Sequence, residues 1–363
     1  MVIFDCNGVL VDSEPIAAAV LADAFDRRRL VQATEAALAL CSFGLAANAI
    51  APHPAIWPIY VVAALAAALD ALQRPALDSL VPRLVARDEV TAVAALGTLR
   101  STLLGVAGPA LAGWLIAWLG LGIAFAIDGA TYAASFGLLF WLRAVAPSAA
   151  APPGIGRVLE GLRYAAQRPD LLGTYLVDFV AMFFGMPNAL FPALASAYGG
   201  ATVLGLFYAA PSFGAALVAA TSGWTNRVRR HGRAIVLAAL IWGVAIVGLG
   251  LAHALPFALL ALAVAGGADA VSGFFRATIW NQSIPDELRG RMAGLEFISY
   301  SSGPALGNVE AGAVANWLGP RISVLSGGVL CVAGVAIAAL ALPALWRYEV
   351  GETSDGTVRS APS

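Results

Sequence analysis

Residues 233–253 read RAIVLAALIWGVAIVGLGLAH, an apolar run closed by an arginine at one end and a histidine at the other. A helix needs roughly 20 such residues to cross the hydrocarbon of a bilayer. Working outward, the other apolar stretches lie at about 30–50, 56–77, 90–118, 120–142, 171–193, 202–223, 256–276, 291–318 and 322–346. Inside lipid only helices and closed barrels satisfy every backbone group. Barrel strands would be shorter and would alternate apolar with polar residues. The pattern predicts an all-α, polytopic membrane protein with about ten transmembrane helices.

Composition excludes the ordinary soluble classes. Hydrophobic residues make up 60% of the 363 residues and charged residues 12%, outside the range of water-soluble domains. All 21 basic residues are arginine, which with the alanine excess reflects a GC-rich genome rather than chemistry. The net charge of −1 says little about partners, because the distribution of charge matters more than its sum, and no nucleic-acid partner is expected. Cys6, Cys41 and Cys331 have no metal-ligand spacing and read as small hydrophobes. No metal or cofactor is expected. Asp5, Asp12 and Glu14 stand where a cleavable signal peptide would need an apolar core.

The arginines alternate with the spans. Arg27, Arg28 and Arg29 precede the first, and Arg74, Arg83 and Arg87 follow the second. Arg143, Arg157, Arg163 and Arg168 follow the fourth; Arg227, Arg229, Arg230 and Arg233 follow the sixth. Arg276, Arg289 and Arg291 follow the eighth, and Arg347 and Arg359 close the chain. The intervening connections hold none except Arg321. Positive charge stays on the cytoplasmic side, so a plasma (inner) membrane protein with both termini cytoplasmic is expected.

The two halves of the chain repeat at a separation of about 200 residues. Asp88-Glu89 matches Asp286-Glu287, Gly108-Pro109-Ala110-Leu111 matches Gly303-Pro304-Ala305-Leu306, and Trp118-Leu119-Gly120 matches Trp317-Leu318-Gly319. Duplicated halves with a substrate site between them near the midplane are an architecture of secondary transporters. The boundaries read as a first half over 16–142, a linker over 143–170, a second half over 171–346 and a disordered cytoplasmic tail over 347–363. Within the linker, 156–167 reads as a surface amphipathic helix, with Val158, Leu159 and Leu162 on its apolar side.

These features carry a resemblance. Leu21-Ala22-Asp23-Ala24-Phe25-Asp26-Arg27-Arg28-Arg29 resembles the cytoplasmic signature loop of the major facilitator superfamily, and residues 105–113 (GVAGPALAG) resemble the helix-five glycine/proline motif of its antiporters. The stretches 178–187 (DFVAMFFGMP), 206–211 (LFYAAP) and 307–312 (GNVEAG) resemble the enterobactin-exporter-like branch of its efflux permeases. The resemblance covers roughly 17–348 and matches family helices three to twelve with the end of helix two. It implies a truncated major facilitator fold lacking helix one and most of helix two.

Residues 1–15 form a separate, N-terminal extension. Their sequence MVIFDCNGVLVDSE resembles the first motif of haloacid-dehalogenase-type phosphatases, with Asp5 at the position of the nucleophile. Asn7 stands where that family has its acid, and an amide cannot exchange that proton. The chain has no lysine for the later motif. The segment therefore reads as a fused or mis-joined gene fragment acting as an N-terminal extension, with an active phosphatase as the alternative it argues against.

Charges inside apolar spans cost ~2.5–3.5 kcal/mol each on insertion scales and so invite functional explanations. The candidates are Asp70, Arg100, Asp128, Asp178, Asp269, Glu296 and Glu310. By the family arrangement Asp70, Asp178 and Asp269 would lie near the cavity, and Asp178, Asp269, Asp128 and Glu296 are the candidates for proton coupling. Each could instead be structural, paired with Arg100 or Arg276. Asp23, Arg27, Arg28 and Arg29 read as a charge-assisted latch at the cytoplasmic face or as a topology signal alone. Gly97, Ser101, Gly105, Pro109 and Gly113 recur every four residues as a small-residue ridge, and Ser299, Gly303, Gly307, Ala311 and Ala315 form its counterpart. Gly105, Gly108, Pro109 and Gly113 are thus either a packing motif or an antiport gate. Trp57, Tyr60, Phe183, Phe184, Phe191 and Tyr208 could line a drug-sized cavity or face lipid.

The expected function is secondary transport, exporting drug- or siderophore-like small molecules by proton antiport, with bilayer, substrate and protons as partners. A non-transporting remnant of such a transporter is the alternative, and an enzyme is not expected.

Overall fold

The computed structural model describes residues 27–84, 90–141, 168–284 and 286–349. The N-terminal extension, Asp23, the 156–167 segment and the tail beyond 349 lie outside the described residues. The described elements are helical throughout. They are α1 (Arg27–Ile50), α2 (Trp57–Leu84), α3 (Val90–Leu138), α4 (Pro169–Gly185), α5 (Phe191–Ser196), α6 (Ala201–Ala220), α7 (His231–Leu251), α8 (Leu255–Ser283), α9 (Asp286–Leu318), α10 (Pro320–Ala341) and α11 (Pro343–Arg347). Short 3₁₀ turns cover Leu139–Trp141, Asn188–Leu190 and Ser222–Arg227. Helices α4, α8, α10 and α11 each open on a proline, whose missing N–H costs nothing in a first turn.

Among the described residues seven helices are long and apolar enough to cross a bilayer. One of them, Leu96–Trp141, runs to 46 residues. At 1.5 Å per residue that is roughly twice the ~30 Å hydrocarbon thickness, and α3 is broken at Gly120 (φ 80°, ψ 164°). This is the position that the sequence reads as the turn between two spans. Its partner in the repeat, Gly319 before α10, has φ 89° and ψ 157°. Both lie in a region of backbone space essentially reserved for glycine, so the two halves repeat in conformation as well as in letters. The preceding tryptophans, Trp118 at 74% exposure and Trp317 at 84%, project outward, as residues of an interfacial aromatic belt do.

The chain forms two compact units, Met1–Ile155 with Ala195–Ala209, and Gly156–Leu194 with Ala210–Ser363. In the first, α1 packs on α2 and α3. Its contacts with the second part of α3 run antiparallel: a side chain on Gly122 would meet Ile50, one on Gly129 would meet Phe43, and Arg28 donates to the Phe140 carbonyl at 2.7 Å. In the second unit α7 packs on α8 and α10, and α4 packs on α9 and α10. The glycines decide how close these helices come. A Cβ on Gly307 would lie 2.5 Å from the carbonyl oxygens of Met182 and Phe183, and one on Gly327 2.4 Å from that of Phe184. Outward faces carry apolar stripes, such as Leu237, Ile241 and Val244 of α7, each at least half exposed and spaced to face lipid from one side.

Replacing Gly120 or Gly319 by alanine forces a side chain into a glycine-only conformation. Each substitution should lower stability in detergent by about 1–3 kcal/mol, read as an earlier thermal unfolding midpoint. Gly108→Ala, with nothing within 4 Å of the added carbon, should leave the midpoint unchanged.

Candidate functional site

Asp178 sits in the middle of α4 and Arg276 about two turns before the end of α8. The sequence places Asp178 at lipid depth and Arg276 at the end of the eighth apolar stretch, and the structure continues that helix to Ser283 with Arg276 buried. Their side chains meet: the Arg276 guanidinium Nη1 pairs with Asp178 Oδ1. The same guanidinium turns its Nη2 toward Asp269 Oδ1, 3.7 Å away and two turns back along α8. Asp178 is 4% exposed, Arg276 10% and Asp269 45%. One cation therefore lies between two carboxylates, one sealed in protein and the other open to a cleft. The Arg276 Nε makes no hydrogen bond among the described residues.

The cleft is lined by Ala238, Ala239 and Trp242 of α7, Met182 of α4, and Ala268 and Ser272 of α8. Small residues on α7 and α8 let the helices approach while leaving room beside Asp269. Trp242 is held by its indole N–H, which donates to the Gly185 carbonyl at 3.1 Å. A Cβ on Gly185 would fall 2.5 Å from that indole nitrogen, so glycine is what allows the contact. With both carboxylates ionised the three side chains carry one net negative charge. Buried ion pairs are costly to assemble and costly to break, and a second carboxylate beside the pair makes the arginine's choice of partner responsive to proton binding.

The other expected residues separate. In the first unit, Asp128 accepts a hydrogen bond from Ser42 Oγ at 2.6 Å, joining α3 to α1. Glu35, which the sequence reading passed over inside its first span, is 8% exposed. Its Oε1 accepts from Gln73 of α2 at 2.7 Å, while its Oε2 has no partner among the described residues. The signal that could have found it is a carboxylate in an apolar run with a glutamine at the facing level of the next span. Asp70 and Arg100 lie at exposed positions, and Glu310 is half-buried on α9. The side chain of Glu296 lies outside the described residues, as does that of Arg27. Arg28 is placed at the Phe140 carbonyl, and Arg29 is exposed.

The glycine motif is uneven. Gly105 is half-buried, and a Cβ on Gly108 would meet nothing within 4 Å. Five residues further on, a Cβ on Gly113 would lie 2.7 Å from both the Ala201 carbonyl oxygen and Gly205 Cα, and one on Gly205 2.4 Å from the Pro109 carbonyl. In the counterpart ridge Gly303 and Gly307 face Met182 and Phe183 of α4. Of the aromatic candidates, Phe191 is 1% exposed and belongs to the core, whereas Trp57, Tyr60 and Tyr208 are at least 39% exposed. Phe183 and Phe184 pack edge to face at 4.8 Å. Among the described residues no group of histidine, cysteine and carboxylate side chains could hold a metal ion.

The model of one protein family, described as transmembrane secretion effector, matches residues 14–353. The enterobactin exporter EntS of Shigella boydii serotype 18 is 28% identical over 325 residues, covering 88% of this chain and 77% of the relative. The enterobactin exporter EntS of Escherichia coli O81 is 27% identical over the same span. Among solved structures, a POT family transporter in complex with 5-aminolevulinic acid superposes with a TM-score of 0.69 at 10% identity, over 92% of this chain and 86% of that one. The nucleoside transporter NupG gives 0.66 at 13% identity, over 94% and 88%. At such low identity these structures speak for the fold alone.

Leucine at Gly113 or Gly205 must push two backbones apart, at a typical overpacking cost of ~1–3 kcal/mol. Both variants should show reduced monodisperse yield and a lower unfolding midpoint. Leucine at Gly108 should match the parent in both measurements.

Proposed function

The chain belongs to the transmembrane secretion effector family of major facilitator transporters, and from that premise we propose that it exports a drug- or siderophore-like molecule in exchange for protons, with Arg276 as the moving charge. It is a multi-pass membrane transporter and its relatives are not enzymes. The observation that carries the coupling proposal is the placement of Arg276 between the sealed Asp178 and the open Asp269.

A proton arriving at Asp178 cancels the charge that holds Arg276. The guanidinium then turns to Asp269, which is already within 3.7 Å. Loss of that proton to the other side reverses the exchange. A substrate group that competes for Asp269 or for the unused Nε of Arg276 biases the same equilibrium, and a ligand shifts an equilibrium only by such differential affinity. Asp128, held by Ser42, and Glu296 stand as further coupling candidates. Arg28, bound to the Phe140 carbonyl, supports the latch reading of the basic loop, with Asp23, Arg27 and Arg29 as its other members. Enterobactin is the substrate named for the relatives, and that name is what supports a siderophore-like substrate for this chain.

Asparagine keeps the size and much of the hydrogen bonding of aspartate but cannot switch charge. In proteoliposomes with an imposed pH gradient, Asp178→Asn and Asp269→Asn should lower enterobactin export roughly 5–150-fold, the usual range of coupling free energies. Ethidium serves as the drug-like comparison. Export at the parent rate with unchanged pH dependence in both variants would show that the triad is structural.

We also propose ten crossings with both termini cytoplasmic, supported by the alternation of arginine-rich and arginine-poor connections. Single cysteines at Pro54, Gly199 and His253 should label from outside intact cells, and those at Arg168 and Arg230 only after permeabilisation. Labelling of residues 1–15 from outside would add a crossing.

A further inference from the structure

One turn beyond the ion pair, α4 and α8 touch again. Trp280 follows Arg276 by four residues on α8, and Thr174 precedes Asp178 by four on α4, so each helix presents both of its residues on one face. The Trp280 indole N–H donates to Thr174 Oγ1 at 3.0 Å. The hydroxyl donates its own hydrogen bond to the Leu171 carbonyl at 2.7 Å, which leaves an Oγ1 lone pair to accept the indole N–H. Tyr175 stacks on the indole with ring centroids 5.2 Å apart and planes 22° apart. Thr174 is fully buried and Trp280 8% exposed.

The two rungs differ in kind. Arg276 has two carboxylates to choose from and a side chain long enough to reach either. The Trp280–Thr174 rung has one donor, one acceptor and no titratable group, and a stacked ring prevents the indole from turning. Moving the arginine to Asp269 removes the Arg276–Asp178 tie between α4 and α8 and leaves the neutral one. Building on the arginine exchange proposed above, we infer that Trp280 and Thr174 are positioning residues. Their hydrogen bond holds α4 and α8 in the register that keeps Arg276 within reach of both carboxylates, and it is the point about which the helices part when Arg276 changes partner.

The test needs no substrate. Ser272 lines the cleft and is 6% exposed, so Ser272→Cys, in a chain whose other cysteines are replaced by alanine, reports opening by its rate of reaction with N-ethylmaleimide. Thr174→Val keeps the side-chain shape and removes the acceptor. Labelling should rise roughly fivefold, as loss of one buried hydrogen bond's net contribution implies, and Thr174→Ser should restore the parent rate. Ala258→Cys, fully buried toward the other end of α8, should stay unlabelled in every chain. Parent-rate labelling in Thr174→Val, or no rescue by serine, overturns the inference; so does labelling at Ala258→Cys, which would mark general loosening. If Thr174→Val fails to fold, Trp280→Phe keeps a ring on Tyr175 and takes the same readout. Asp178→Asn separates the two levels of the argument. It should also raise labelling at Ser272→Cys; if it does not while Thr174→Val does, the arginine exchange fails and the neutral rung stands as a register pin.

Discussion

Close approach of helix backbones at glycine is the constraint on which this bundle depends. Lipid chains are as apolar as leucine, so burying a leucine against another helix yields little of the gain it has in water. What remains is van der Waals contact and hydrogen bonding, and both improve when backbones come near. A Cβ on Gly214 would lie 1.8 Å from the Ala263 carbonyl oxygen, and one on Gly266 2.0 Å from that of Pro211, so α6 and α8 meet backbone to backbone. Gly243 and Gly328 do the same for α7 and α10. The exposed leucines and isoleucines of α7 are the other side of this arrangement: they remain outside because lipid is an adequate solvent for them.

Tight packing by small residues sets the stage on which polar side chains matter. The few hydrogen bonds between side chains and distant backbone fall at helix ends and seams. Arg321 donates to the Ala252 carbonyl at 2.8 Å, and Ser323 Oγ to the Ala311 carbonyl at 2.8 Å, which ties α10 to the end of α7 and to α9. Asn308 Oδ1 receives the Ala189 N–H at 2.9 Å and supports the short turn after α4. At the arginine-bearing end, Arg230 pairs with Glu349, Arg233 sits 5.4 Å from the Trp346 ring centroid, and Leu345 of α11 is fully buried. Among the described residues an ion pair is carried deep where α4 meets α8, and there the arginine has a second carboxylate in reach.

Much of this was legible in the letters. Every backbone group in lipid must bond within its own helix, so an apolar run of the right length, with glycine and proline at its ends, reads directly as a crossing helix. The glycines after Trp118 and Trp317 were visible as a repeat, and their common conformation follows from what glycine alone can adopt. The positions of Asp178 and Asp269 at mid-span were legible for the same reason, because charge at that depth is rare, whereas Arg276 read as the first arginine of the connection after the eighth span. What the letters could not supply is who meets whom. Helix faces are chosen by rotation about each axis, and a 3.6-residue period leaves several faces equally apolar when lipid and protein are equally good neighbours. Hence the small-residue ridge read as one continuous seam, while its close approach falls at Pro109 and Gly113 against Gly205 and Gly97 faces open space. Hence too Glu35 passed unnoticed until Gln73 was seen across from it. That Arg276 lies between Asp178 and Asp269, and that Trp280 is pinned to Thr174 one turn away, depends on α4 and α8 being brought side by side at one rotation and one register; residues about one hundred positions apart in the chain carry no local signal of that, and only the packed tertiary structure decides it.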